Sequence, residues 1–171
     1  MKKITIEWLV EKNACQDGLD WFAKQGKEVE PIPLLNLLIK KKKLDWANWL
    51  IVRVMEYKQY VSYAVFAAEL VIDIFEKEFP DDKRPRTAIE AAKKCIENPN
   101  DENKKEAARA AGIAAYSAAD SAAYWAAYWA AYRAANSAAN SAACAEYSAA
   151  YRAKILKKIL KYGIELLREG K

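Results

Sequence analysis

This sequence predicts an all-α fold, a compact multi-helix bundle with a long alanine-rich central helix or helix pair, and three observations carry that reading. Between Tyr116 and Ala143 the chain repeats a four-residue unit: YSAA, DSAA, YWAA, YWAA, YRAA, NSAA, NSAA. Alanine leads the helix propensity scale. Elsewhere apolar residues recur three and four apart, the spacing of one buried helix face. The prolines, at positions 31, 33, 80, 85 and 99, stand at the ends of those stretches and not inside them.

Taken in order, Ile4 to Lys12 reads as a short amphipathic helix, and Ala14 to Gln25 as a second, stopped by Gly26. Pro31 and Pro33 break the chain, and a helix resumes from Leu34 to Lys42 with Leu34, Leu35, Leu38 and Ile39 on one side. Leu44 to Tyr57 turns Leu44, Trp46, Leu50 and Val54 toward a core. Lys58 to Glu78 is the most hydrophobic helix and ends before Phe79-Pro80. Pro85 suits the first turn of a helix that runs through Glu97, because its missing N–H costs nothing there. Asn98-Pro99-Asn100 is the clearest loop, and Asp101 and Glu102 favour a helix start beyond it.

From there to Leu167 no proline occurs, and an unbroken helix would run about 100 Å. A compact domain of this length has a radius of gyration of about 15–16 Å. Two helices are therefore expected, with a break between Asn136 and Tyr147, where Cys144-Ala145-Glu146 interrupts the tetrads. The same three-residue step also suits a phase correction inside a continuous helix. Four residues turn a helix through about 400°, so each tetrad precesses about 40° on the last. The large side chains thus sweep around the axis, which implies packing on several sides. The last segment carries Ile155, Leu156, Ile159, Leu160, Ile164 and Leu167 as one stripe. Residues 1–171 are read as a single all-α domain, with an apolar half at 1–97 and an alanine-rich half at 101–168 packed on it.

Composition narrows the function. Net charge is +5 and the sequence pI near 9.0, which suits anionic ligands. Lys40 to Lys43 form one basic run, and Lys154, Lys157, Lys158, Lys161 and Arg168 a second cluster; a solvated face is the plain reading of both. A duplex-DNA binder needs a basic recognition helix, and the repeat helix is nearly uncharged. Mean hydropathy is −0.28, and the most apolar stretch carries Glu69, Asp73 and Glu76, against a membrane span. Lys2 and Lys3 are followed by Ile4, Thr5, Ile6 and Glu7, without the apolar core of a signal peptide. The three cysteines, 15, 95 and 144, lack metal or disulfide spacing, so a reducing cytoplasm, no metal and no cofactor are expected.

The chain contains no histidine, which removes the commonest general base and metal ligand. Asp17 with Asp20, and Glu69 with Asp73, are spaced to share helix faces and could do acid–base work, or pair with Arg53, Arg84 or Arg86. No catalytic residue is assigned. Arg84 and Arg86 could grip a phosphate or carboxylate, or neutralise Asp81, Asp82 or Glu69. The strongest ligand candidate is the aromatic belt. Tyr124, Tyr128 and Tyr132 form one i,i+4 ridge, and Trp125, Trp129 and Arg133 the next. Rings beside a guanidinium suit stacking on a flat anionic ligand, and Asn136 and Asn140 add hydrogen-bonding groups. The same rings could instead fill core space between alanines.

The segments NACQDGLDWFAKQG (13–26), LDWANWLIVRVM (44–55) and FPDDKRPRTAIEAAKKC (79–95), followed by the alanine-rich repeat, resemble a phage and bacterial immunity-protein family. The resemblance implies an all-α protein that binds and neutralises something, and carries over no catalytic residue. The leading expectation is a non-enzymatic protein of phage–bacterial conflict, acting in the cytoplasm (the host's, if phage-encoded). It would sequester a small anionic nucleotide-type signal through the belt, Arg84 and Arg86. The alternative is an inhibitor of a protein toxin or host defence enzyme. The small residues of the repeat are also compatible with a homodimer.

Overall fold

Thr5 shows how local chemistry starts the first helix. In the computed structural model, which describes residues 2–70, 72–110 and 138–170 (backbone alone at 78 and over 138–149), Thr5 is extended and its Oγ1 accepts from Trp8 N–H at 3.2 Å. That N-cap opens α1, Ile6–Glu11. Ile4 and Thr5 therefore do not join the helix as expected. They form β1, antiparallel to β2 (Glu28–Val29), with Ile4 opposite Val29 and Thr5 opposite Glu28. The β-branched pair satisfies its backbone across the ladder and buries Ile4 completely.

The described chain is otherwise helical, which agrees with the predicted all-α class: α2 (Gln16–Ala23), α3 (Pro31–Lys40), α4 (Leu44–Val54), α5 (Tyr57–Glu69), α6 (Ile72–Glu78), α7 (Arg84–Glu97), α8 (residues 101–110) and α9 (Ala138–Glu169). Two compact units divide it, one of Met1–Tyr60 with Leu156–Lys171, the other of Val61–Ile155.

In the first unit, α1 and α3 end alike. Ala14 N–H donates to Leu9 O at 2.9 Å and Asn13 N–H to Val10 O at 3.0 Å, with Asn13 at φ 57°. Lys43 N–H donates to Leu38 O at 2.9 Å and Lys42 N–H to Ile39 O at 3.1 Å, with Lys42 at φ 58°. Both are Schellman closures, in which the left-handed residue usually is glycine. The run Lys40–Lys43 is thus a helix C-cap, with its cations at the negative dipole end. Pro31 and Pro33 do not break the chain before α3 as expected. Pro31 is the first residue of the helix, where the missing N–H would be an orphan anyway. Leu34, Leu35, Leu38, Ala47, Leu50 and Ile51 form the buried seam of α3 on α4. Leu160, Ile164 and Leu167, from the predicted stripe of α9, are also buried.

In the second unit, Val65, Ile72 and Ile89 make a buried cluster, flanked by Val61, Ala68, Ala92 and Ile96. The single helix expected over 58–78 is two, α5 and α6; neither proline nor glycine stands at the junction, so the pattern carried no stop signal. Asn98-Pro99-Asn100 is a loop as expected, and Asn100 Oδ1 caps α8 by accepting from Asn103 N–H at 2.8 Å. The break expected between Asn136 and Tyr147 does not occur from 138 onward. α9 runs unbroken for 32 residues, about 48 Å. Cys144-Ala145-Glu146 is a phase correction in a continuous helix: two alanines precede it, one lies inside it, and none resists the winding.

Candidate binding sites

Arg84 stands at the start of α7, two residues after Asp82, and the tight turn folds its guanidinium back on that carboxylate. Nε donates to Oδ1 at 2.8 Å and Nη2 to Oδ2 at 2.8 Å, while the Arg84 backbone N–H reaches Oδ1 at 3.0 Å. Asp82 retains only 16% of its side-chain exposure, and the fork is a bidentate, charge-assisted pair. Arg86 makes a second fork, from Nε to Glu76 Oε1 at 2.8 Å and from Nη2 to Oε2 at 2.5 Å. Those hydrogen bonds hold the Glu76 carboxyl below its ordinary range and raise Arg86 above its own. Asp73 lies 3.7 Å from the same guanidinium.

The Glu69–Asp73 pair that helical spacing would allow is not assembled. Glu69 ends α5 and bonds Lys93 at 2.5 Å, whereas Asp73 belongs to α6 and is 86% exposed. Asp17 and Asp20 are exposed on α2, and Asp20 accepts from Gln16 at 2.8 Å.

Arg84 also lines an open cavity of about 580 Å³ with Asp81, Asp82, Lys83, Thr87 and Arg109. Arg109 is itself forked to Glu106, at 2.8 and 3.0 Å, which lowers the Glu106 carboxyl. Groups of both signs thus line this opening, and a bound anion would compete with Asp82 for Arg84 and with Glu106 for Arg109. Of the other sequence candidates, Tyr124, Trp125, Tyr128, Trp129, Tyr132, Arg133 and Asn136 lie outside the described residues. Asn140 falls in α9, where only the backbone is described.

The sequence reading missed a second site, in the first unit. A cavity of about 320 Å³ is walled by Trp21 and Phe22 of α2, Leu34 and Leu38 of α3, and Trp46 and Trp49 of α4. Asn13, Cys15 and Asp45 supply its polar edge, and Gly18 part of its wall. Trp21 and Trp46 meet edge to face, with centroids 5.9 Å apart. Lys43 Nζ sits 3.7 Å from the Trp46 centroid and 5.9 Å from that of Trp21. Arg53 covers Trp49 at 3.9 Å and donates to its carbonyl at 2.8 Å. Cations thus brace the tryptophan faces. The i,i+3 spacing of Trp46 and Trp49 was the available signal, but nothing in the sequence announced that Trp21 would meet them.

Among the described residues no group of three or more His, Cys, Asp or Glu could hold a metal ion, and no helix is long and apolar enough to cross a membrane. A family model described as "Imm-5 like putative immunity protein" matches residues 51–160. No curated protein and no solved structure matches the chain.

Proposed function

The chain belongs to the Imm-5 like immunity-protein family, and we propose that it acts by occupying a protein target, a toxin or a defence enzyme, and not by turning over a substrate. Family membership is the observation that carries this reading. The chemistry of the described residues supports it. The chain has no histidine, and the carboxylates best spaced for acid–base work are exposed or held by Lys93 and Arg86. A general base needs a free lone pair within reach of a substrate proton.

Sequestration of a small anionic nucleotide is the finer alternative. It rests on the belt from Tyr124 to Arg133 and on Arg84 and Arg86, whose guanidiniums are already forked to Asp82 and Glu76. A phosphate would have to displace those carboxylates, so the geometry lends less support to this reading than the family does to the first.

The deciding experiment is a growth-rescue screen against a panel of toxin and defence genes, followed by native mass spectrometry of the chain recovered from rescued cells. Rescue with a stoichiometric second polypeptide supports a protein-binding immunity role. Rescue with only a bound mass of a few hundred daltons overturns it in favour of the sequestering reading.

A further inference from the structure

Gly18 lies inside α2 at an ordinary helical φ, a position where glycine weakens a helix relative to alanine. The fold does not need it there. A Cβ built on Gly18 would meet, within 4 Å, only Cys15 Sγ at 3.4 Å, an ordinary contact. The space that the missing side chain leaves open is the tryptophan-lined cavity. A glycine that gives up helix stability without solving a backbone problem permits close approach of something else.

The wall and rim indicate what that is. Trp21, Phe22, Trp46 and Trp49 present flat apolar surface, and about 320 Å³ lies at the lower end of the range for ligand pockets, room for one large side chain. Beside it Lys40, Lys41 and Lys42 are exposed, and Lys43 rests on the indoles. Among the described residues none of these four lysines has an ion-pair partner. One carboxylate, Asp45, lies on the lining. The neighbourhood is therefore an apolar hole beside a run of unneutralised positive charge. Every lining residue falls between Leu9 and Leu50, before the family-matched span begins at residue 51.

We propose that this cavity is an anchor pocket for one bulky apolar side chain, aromatic by preference, carried on an acidic segment of the partner protein. The side chain stacks between Trp21, Trp46 and Trp49 and over the bare backbone at Gly18, and the flanking carboxylates meet Lys40–Lys43. This rests on the protein-binding reading above and assigns that reading a contact outside the family-matched residues. Buried aromatic anchors supply most of the affinity at such interfaces, and the charges supply rate and selectivity.

The test uses the full chain, with indole nitrogens labelled, and three synthetic peptides: Asp-Glu-Phe-Glu-Asp, Asp-Glu-Ala-Glu-Asp and Lys-Lys-Phe-Lys-Lys. The acidic Phe peptide is expected to move the indole N–H resonances of Trp21, Trp46 and Trp49 in a saturable way. The other two should bind at least about tenfold more weakly. Gly18→Leu, which fills the hole, should weaken the acidic Phe peptide by about tenfold or more, and Gly18→Ala by less than about threefold. The exposed double variant Lys40→Glu/Lys41→Glu keeps the test open should Gly18→Leu disturb α2. It should weaken binding several-fold at low salt, with the difference closing as salt rises. Equal response to the Ala peptide, no saturable response, or indifference to both variants overturns the proposal. If a natural target binds the wild type and Gly18→Leu equally, the protein-binding role stands and this pocket falls. If the peptides bind as expected while the rescue screen yields no protein partner, the pocket stands and that role falls.

Discussion

The side-chain amide of Gln59 joins two helix ends that lie 107 residues apart in sequence. Its Nε2 donates to Leu166 O at 2.9 Å, and its Oε1 accepts from Glu56 N–H at 3.1 Å. Gln59 is the third residue of α5, so its oxygen reaches back to the N-cap amide as in a capping box. The Leu166 carbonyl is one of the last four of α9, which have no partner within the helix. One buried amide thus meets both needs. Gln59→Leu should cost about 1–3 kcal/mol, because both groups are left unpaired, and chemical denaturation monitored at Trp8 would read the loss.

Lys42 offers the opposite outcome. It occupies the left-handed position of a Schellman closure at φ 58°, where glycine has no steric penalty. Lys42→Gly should therefore raise stability by about 0.5–1 kcal/mol, after allowance for the greater freedom of glycine in the unfolded chain. A lower melting temperature in that variant would mean that the lysine side chain has a stabilising contact of its own.

Glu76 sets an acid limb. Its folded carboxyl is depressed, first by the hydrogen bonds from Arg86, so folding favours the ionised form. The contribution is fully present above the unfolded value near 4.3 and is lost as pH falls through the lower folded one. Glu76→Gln should flatten the stability profile in that acid range and leave it nearly parallel to wild type at neutral pH. Because the pair is only half-buried, salt should shrink the difference.

Tyr63 sets the alkaline limb. It is buried, and burial raises its phenol well above the usual tyrosine range. An unfolded tyrosine ionises near pH 10, so above that pH the unfolded chain releases a proton that the folded chain retains, and stability declines. Tyr63→Phe should remove that part of the decline, measured by urea denaturation between about pH 9 and 11.

Lys43 braces the tryptophan cavity from outside. Lys43→Met keeps the stem but removes the charge 3.7 Å from Trp46, and should cost about 0.5–1 kcal/mol. Tryptophan emission should change with it, since the indole loses a neighbouring cation.

Local chemistry was legible in proportion to its locality. The Asn98-Pro99-Asn100 loop, the Pro85 helix start and the Ile155–Leu167 stripe each announce themselves within one turn, and all are found. The α5–α6 junction carries no proline or glycine, so the apolar pattern ran straight through it. Thr5 looked like a helix residue because its partner across the ladder, Glu28, lies 23 positions on. Pairings suffered similarly. Arg84 had Asp81 and Asp82 to choose from, and Arg86 found Glu76 only because a turn brought α6 beside α7. The tryptophan cavity was hidden because it is lined from four helices, α1 to α4, none of which contains more than two of its aromatic walls.

The first unit takes residues from two segments far apart in sequence, Met1–Tyr60 and Leu156–Lys171. A ribosome delivers them in that order, with the whole of Val61–Ile155 between. The seam of α3 on α4 can form early, but Gln59 must wait with a buried-to-be amide in water until Leu166 has been made. Closing so long a loop costs entropy that only the finished end repays. The earlier-made segment of the first unit therefore completes its packing only after the second unit has been synthesised.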